Sequence, residues 1–362
     1  MMGKSTRAAV QQLRRHSTEI IWGSAIALAL LGLALAWWLL EPPCPSEIEI
    51  ATGSSDGQYH AVAEQYREIL ADNGITLTVR ESAGSVDNAQ LLRDADSNVQ
   101  MAIMQAGAVK REPTASQIQS LAGLYLEPLW LFYRHESLPS EITTDQEPAS
   151  VDKLDQLRGM SVAIGPAGSG TRALAEMLLK ENNMAHEHDA TITACDLGGK
   201  EAAAALVAGE IDAAFFVISP KALLVKQLLA DPQIELMSFR RAHAYSNKHR
   251  YLTPVTLHEG LLDLEANLPE RDVQLLAPTA CLVARDDLHH ALIPLLLEAA
   301  AQVHERGGYL ESPGEFPSPH RVDFALAPDA RRYFTRGPSV FYRYLPFRWA
   351  AWADRVKMMM LP

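Results

Sequence analysis

Two stretches of this chain repeat one local design. Ala51-Thr52-Gly53-Ser54-Ser55-Asp56-Gly57-Gln58-Tyr59 and Ile164-Gly165-Pro166-Ala167-Gly168-Ser169-Gly170-Thr171-Arg172 each follow a short apolar run and precede a segment of helical period. Apolar residues at Tyr59, Val62, Ala63, Tyr66 and Leu70 follow the first, and Ala173, Leu174, Met177 and Leu178 follow the second. Each is therefore predicted to be a strand–loop–helix junction. Two such junctions in separate halves of a 362-residue chain call for two α/β lobes, each with its own mainly parallel sheet.

The rest of the body fits that plan. Ile48–Ala51, Ile75–Val79 and Val99–Met104 read as strands, with a helix opened by Gly84-Ser85 between the second and third. In the second half Ser161–Ile164, Ile192–Cys195 and Ala213–Ile218 read as strands, with an Ala-rich helix over Lys200–Ala208. Leu121–Tyr133, apolar and broken by Pro128, reads as an extended crossover out of the first lobe. Leu275–Ala284 reads as the return crossover, followed by a helix over Leu288–His304. Pro139 to Pro148 reads as a polar surface loop. The expected organisation is a first lobe from 46–130 plus 276–330 and a second from 131–275, with a cleft between them at the carboxyl ends of parallel strands.

Charge and the N-terminal segment bound the compartment. The net charge is −12, yet both ends are basic. Setting aside the four bases and one acid of residues 1–40 and the seven bases and one acid of 331–362 leaves 21 basic and 42 acidic residues between. A body this acidic excludes a nucleic-acid partner, which needs a cationic face. Residues 20–40 carry no charge, which is the length of a bilayer-spanning helix. With Lys4, Arg7, Arg14 and Arg15 before it, residues 1–19 form a basic cytoplasmic tail and the body lies outside. A cleaved signal peptide is the alternative, but its apolar core would be shorter, and Glu41-Pro42-Pro43 is a poor cleavage site. The same three residues argue against lipidation of Cys44. The expected location is a bacterial inner membrane, crossed once, with the body in the periplasm. Residues 331–362 interleave arginines with aromatics around Phe341–Trp349, a composition suited to a membrane surface, or to packing on the body.

At the two junctions, glycines let backbone approach a ligand, and free N–H groups at a helix start favour a carboxylate or phosphate. Arg172 is placed to pair bidentately with a carboxylate. The plainer reading makes these ordinary turns, with Ser55 and Ser169 as helix caps. Gly165 and Gly170 fit a nucleotide-binding loop, but Thr171 stands where its lysine belongs, so that reading fails. Cys44, Cys195 and Cys281 have no metal-ligand spacing, and a disulfide between Cys195 and Cys281 stays open. His186 and His188, flanked by Glu187 and Asp189, suit a solvated turn better than a metal site. No Ser–His–Asp order is readable from spacing alone and no G-x-S-x-G elbow is present, so a hydrolase reading would require a Ser–His–acid set that converges in space, and the expectation of no enzyme, metal or cofactor is one that the resemblance given next implies.

Six stretches carry a resemblance: ATGSSDGQYH at 51–60, ESAGSVDNAQLL at 81–92, MAIMQAG at 101–107, VAIGPAGSGTRALAEMLL at 162–179, DLGGKEAAAALVAGEIDAAFFV at 196–217 and LAPTACLVAR at 276–285. In these the chain resembles the TAXI proteins, extracytoplasmic solute receptors associated with TRAP-type transporters. The resemblance implies a periplasmic-binding-protein fold of the second topological type and capture of a small organic acid or amino acid, anionic or zwitterionic. It carries ligand contacts onto Thr52, Gly53, Ser54 and Tyr59, onto Ser85 and Gln105, and onto Ser169, Gly170, Thr171 and Arg172. Ser54 and His60 stand where that family usually has a glycine and a tyrosine. A permanent anchor also suits a second role, a membrane-tethered sensor or scaffold that uses the same cleft to regulate a partner protein.

Overall fold

The structure, a computed structural model, describes residues 21–32, 34, 44–109, 117–138, 150–184, 191–338 and 347. The chain divides into two units, residues 1–45 and 46–362. In the first, residues 21–32 are helical and exposed, and the remainder of the predicted span at 20–40 falls largely outside the described residues. Among the described residues no helix is long and apolar enough to cross a membrane. The 139–148 loop, His186 and His188 also lie outside them, as does the tail beyond residue 338 except Phe347, which is buried.

In the second unit the first alternation builds one sheet. Strand β1 (Glu47–Ala51) pairs in parallel with β2 (Thr76–Arg80) on one side and β3 (Met101–Gln105) on the other. Helix α1 (Gln58–Asp72) connects β1 to β2, and α2 (Ser85–Arg93) connects β2 to β3. Helix α1 buries Val62, Ala63, Tyr66 and Leu70, the stripe expected from its period, and ends at Asn73, followed by Gly74 at φ 75°. All five residues of β3 are buried, as a central strand covered on both faces requires.

The long apolar run after it is two strands. Strand β4 (Ile118–Leu126) stays in the first sheet, and β5 (Leu129–Arg134) belongs to the second, with Glu127-Pro128 between. The second sheet repeats the first. Strand β6 (Ser161–Ala163) lies between β7 (Thr193–Cys195) and β8 (Ala213–Val217), all parallel, and β5 runs antiparallel to β8 and β9 (Ile234–Leu236). Helix α3 (Gly170–Glu181) joins β6 to β7, and α4 (Gly199–Ala208) joins β7 to β8. The core of this half is aromatic, with Trp130, Phe132, Tyr133, Phe215 and Phe216 buried together. Full burial of each is worth about 1.5–3 kcal/mol.

Helix α5 (Leu223–Leu229) lies between β8 and β9, and α6 (Ala242–Lys248) and β10 (Leu252–Leu257) lie between β9 and the return crossover, none of them expected from the sequence. Strand β11 (Val273–Arg285) then pairs with β10 at its start and runs antiparallel between β3 and β4 at its end. The sheet orders are β2-β1-β3-β11-β4 and β7-β6-β8-β5-β9. Each sheet thus takes its antiparallel strand from a crossover shared with the other half. This is a two-lobed α/β fold of the periplasmic-binding kind. Helix α7 (Leu292–His304) packs on α1, and α8 (Pro328–Arg336) packs on α7, so the first residues of the 331–362 tail are part of the body.

Two expectations change here. Helix α3 buries Leu174, Ala175, Leu178 and Leu179, leaving Ala173 and Met177 half-buried, and at its start Thr171 Oγ1 accepts the Val217 N–H of β8 (3.3 Å). None of the three cysteines is in a disulfide: Cys195 ends β7 in one sheet, while Cys281 is buried in β11 in the other.

Candidate ligand-binding site

Both glycine-serine junctions fall at carboxyl ends of parallel strands, as this topology dictates. At the first, Thr52 is fully buried. Its hydroxyl donates to Arg80 O (3.0 Å) and its carbonyl accepts from Asn88 Nδ2 (2.5 Å), which stitches β1 to β2 and α2. Gly57 closes a turn onto Ser54 O (2.9 Å) and serves as the N-cap of α1, with no side-chain cap. An added Cβ at Gly57 would sit 3.0 Å from that carbonyl. Ser55 is therefore not a cap, and no side chain caps the first turn of α1, whose residues Gln58 and Tyr59 line the cavity described below.

The second junction is built differently. The Ser169 hydroxyl accepts from Arg172 N (3.2 Å) and donates to Pro166 O (2.7 Å), capping α3. The Arg172 guanidinium turns away from the cleft. Its Nε donates to Glu176 (2.8 Å) and its Nη1 to Asp196 (2.7 Å), and these partners hold its pKa above the usual guanidinium value against the opposing effect of burial. Arg172 thus makes two ion pairs within the second lobe, with Glu176 and Asp196.

The two lobes meet at a glycine seam. Gln105 Nε2 donates to Gly170 O (3.1 Å), and Val86 N, in the first turn of α2, donates to Gly168 O (3.1 Å). Lys200 and Asp56 add an exposed ion pair at 2.8 Å, which lowers the Asp56 pKa. The fit at this seam requires missing side chains. A Cβ on Gly170 would lie 2.6 Å from Gln105 Oε1, and Gly84, at φ 122°, has Ser169 Cα 3.3 Å from where its Cβ would be.

Beside the seam lies a cavity of about 320 Å³ walled by both lobes. Gly53, Ser54, Tyr59, Ser85 and Gln105 line it from the first lobe, and Gly170 and Thr171 from the second. Ser85 also accepts Gln105 N (2.8 Å), which fixes the end of β3 against α2. Thr52, Ser169 and Arg172 are not in its wall. Glu127, Ser219 and Lys221 are among the lining residues that escaped the sequence reading.

Glu127 is the most consequential of these. It sits between β4 and β5 with its N–H on Pro278 O (2.9 Å) of the other crossover, so it occupies the hinge itself. Only 4% of it is exposed, and Tyr59 Oη donates to its Oε2 (2.5 Å). Burial pushes its pKa up to about 8, the Tyr59 hydrogen bond opposing. The Tyr59 phenol is itself pushed well above its ordinary range, by burial first and by Glu127 next. The signal was present in the sequence as a single acid inside LAGLYLEPLWLFY. Among the described residues no group of His, Cys, Asp and Glu is arranged to hold a metal ion.

Comparison with known proteins adds context. No curated protein sequence matches the chain. Among solved structures, the alkanesulfonate-binding protein SsuA of Xanthomonas axonopodis pv. citri, bound to MOPS, is 13% identical with a TM-score of 0.44, over 72% of this chain and 73% of that one. The periplasmic aliphatic sulphonate binding protein SsuA of Escherichia coli is 11% identical with a TM-score of 0.42, over 71% and 72%. The BenM effector binding domain with benzoate is 13% identical with a TM-score of 0.43, over 75% and 97%. The family model described as the NMT1-like family matches residues 50–313, and the chain belongs to that family.

Proposed function

We propose that this chain is a solute-binding protein that closes two lobes over a small carboxylate, either an organic acid or an amino acid, and performs no chemistry on it. The observation that carries this reading is the cavity walled by both lobes at their strand ends, with the uncapped start of α1 and Lys221 on its lining. The ligand's carboxylate belongs at those amides and at Lys221, where the helix dipole and the ammonium act together. Glu127 faces it from the hinge. Held protonated by burial, its carboxyl donates to an oxygen of the ligand; beside a ligand ammonium it ionises and pairs with it. The exchanged strands support dividing the body into 46–130 plus 276–330 and 131–275, and support the second topological type.

The finer reading is a TAXI-type receptor delivering to a TRAP-type transporter in the inner membrane, anchored by residues 20–40 with the body in the periplasm. The charge-free run with its basic flank and the six matching stretches support it. Calorimetric titration of the detergent-solubilised full chain with a panel of organic acids and amino acids tests the core claim. One member should bind at a stoichiometry of one, and scattering should show a smaller radius of gyration on binding. Absence of binding across the panel would overturn the reading.

A further inference from the structure

Glu127 presents the cavity with half of a carboxyl group. Its Oε2 accepts the Tyr59 hydroxyl (2.5 Å). Its Oε1 has no hydrogen-bond partner among the described residues. Unlike Tyr125 Oη or Thr279 Oγ1 it is not sealed away, so it opens onto the cavity that Glu127 lines. The donors beside it are already used. Tyr59 has given its only hydrogen to Oε2, and Gln105 directs Nε2 to Gly170 O (3.1 Å). The hinge end of the cavity therefore offers an acceptor that lacks a donor.

The charges of the wall lean the same way. Apart from Tyr59, its ionisable residues are Asp56, Glu127 and Lys221. Asp56 is held from outside the wall by Lys200 (2.8 Å). Lys221, on the turn after β8, and Glu127, at the hinge, are then the two poles of the cavity, and a solute that carries both charges matches them. The titratable groups that face Glu127 are Tyr59 from α1, Tyr125 from β4 and Cys281 from β11. Burial pushes all three up, so between pH 5 and 8.5 Glu127 is the one member of this group that ionises.

We infer that Glu127 is the ammonium subsite of this cavity: the solute is an amino acid in place of a plain organic acid, its ammonium bonds Glu127 Oε1, and its carboxylate lies towards Lys221 and the start of α1. Without a counter-ion, burial keeps the Glu127 carboxyl protonated up to about pH 8. The arriving ammonium takes the place of that proton, which leaves to solvent, so the buried carboxylate is charged only when its partner is present. This inference rests on the reading of the cavity as the ligand site and specifies its solute.

The test is calorimetry on the detergent-solubilised full chain with amino acids and their des-amino partners: alanine and propanoate, leucine and 4-methylpentanoate, glutamate and glutarate. In at least one pair the amino acid should bind about tenfold or more tightly than its partner, the effect of one hydrogen bond between charged groups. Titrations in phosphate and in Tris buffer count the protons exchanged. A bound amino acid should release about 0.9 proton at pH 7 and about 0.2 at pH 8.5, the protonated fractions of a carboxyl that titrates near pH 8. Glu127→Gln should abolish the release and bring the amino acid down to the affinity of its des-amino partner, with urea unfolding to show that the variant folds. The proton count is read on wild type alone, whether or not the variant folds. Equal affinities within every pair, a des-amino acid that binds more tightly, or an amino acid bound without proton release overturns the ammonium subsite while the cavity reading stands. A folded Glu127→Gln variant that still prefers the amino acid overturns it as well. Failure of every probe to bind overturns both readings.

Discussion

Replacing Glu127 by glutamine should change how stability depends on pH. The carboxyl ionises near pH 4.5 when solvated and near 8 in the fold, because burial penalises its charged form. The folded chain therefore keeps a proton that the unfolded chain releases. The stability this contributes is fully present below pH 4.5 and is lost as pH rises through about 8. From pH 5 to pH 9 the loss comes to about 4 kcal/mol, at 1.36 kcal/mol for each tenfold change in proton activity. Glutamine keeps the shape and the acceptor for the Tyr59 hydroxyl, whose bond to Glu127 Oε2 is 2.5 Å, and it removes the titration. His304 acts at the other end of the scale. Burial lowers its pKa to about 4, so its contribution is present above 6.5 and lost as pH falls through 4, equally in both proteins. Urea unfolding of wild type and Glu127→Gln from pH 5 to 9 isolates the glutamate, since His304 cancels in the difference. The variant should gain on wild type steadily, by about 4 kcal/mol across the range. Parallel profiles would refute the buried, protonated carboxyl.

Three further outcomes follow from the geometry. Gly170→Ala places a Cβ 2.6 Å from Gln105 Oε1, so it should prop the seam open, weaken ligand binding at least tenfold in calorimetry and leave the melting temperature nearly unchanged. Arg172→Ala should leave affinity within twofold of wild type and cost about 1 kcal/mol or less in urea melts, because its partners Glu176 and Asp196 have side chains 41% and 69% exposed; a tenfold loss of affinity would return Arg172 to the ligand site. A reporter enzyme fused after residue 330 should be active only in the periplasm if residues 20–40 span the membrane, and cytoplasmic activity would reverse the topology.

The features legible in the sequence were those with a local cause. The stripe of α1, the buried β3 and the two Gly-Ser junctions each follow from neighbouring residues, and from them the two lobes and the cleft. What was not legible depended on partners far along the chain. Arg172 has the position of an anion clamp, but Asp196, on the next strand–helix junction, and Glu176, one turn on, take its hydrogen bonds. Ser169 and Thr171 look alike in sequence, yet one hydroxyl caps α3 and the other meets β8 beside the cavity. The region from Ser219 to Lys248 has short elements set by packing against β5 and β10, and nothing in its period announces them. Glu127 was the readable signal that went unread: a lone acid in an apolar crossover had to be buried, paired or functional.

The central claim is that one ligand is held by both lobes at once. A crystal structure with the tightest-binding acid of the panel tests it most directly. The account predicts the ligand's carboxylate within hydrogen-bond reach of the first-turn amides of α1 or of Lys221, with further contacts to Glu127 and to Gly170 or Thr171 across the seam. A ligand seated on one lobe alone, or away from this cavity, would contradict it.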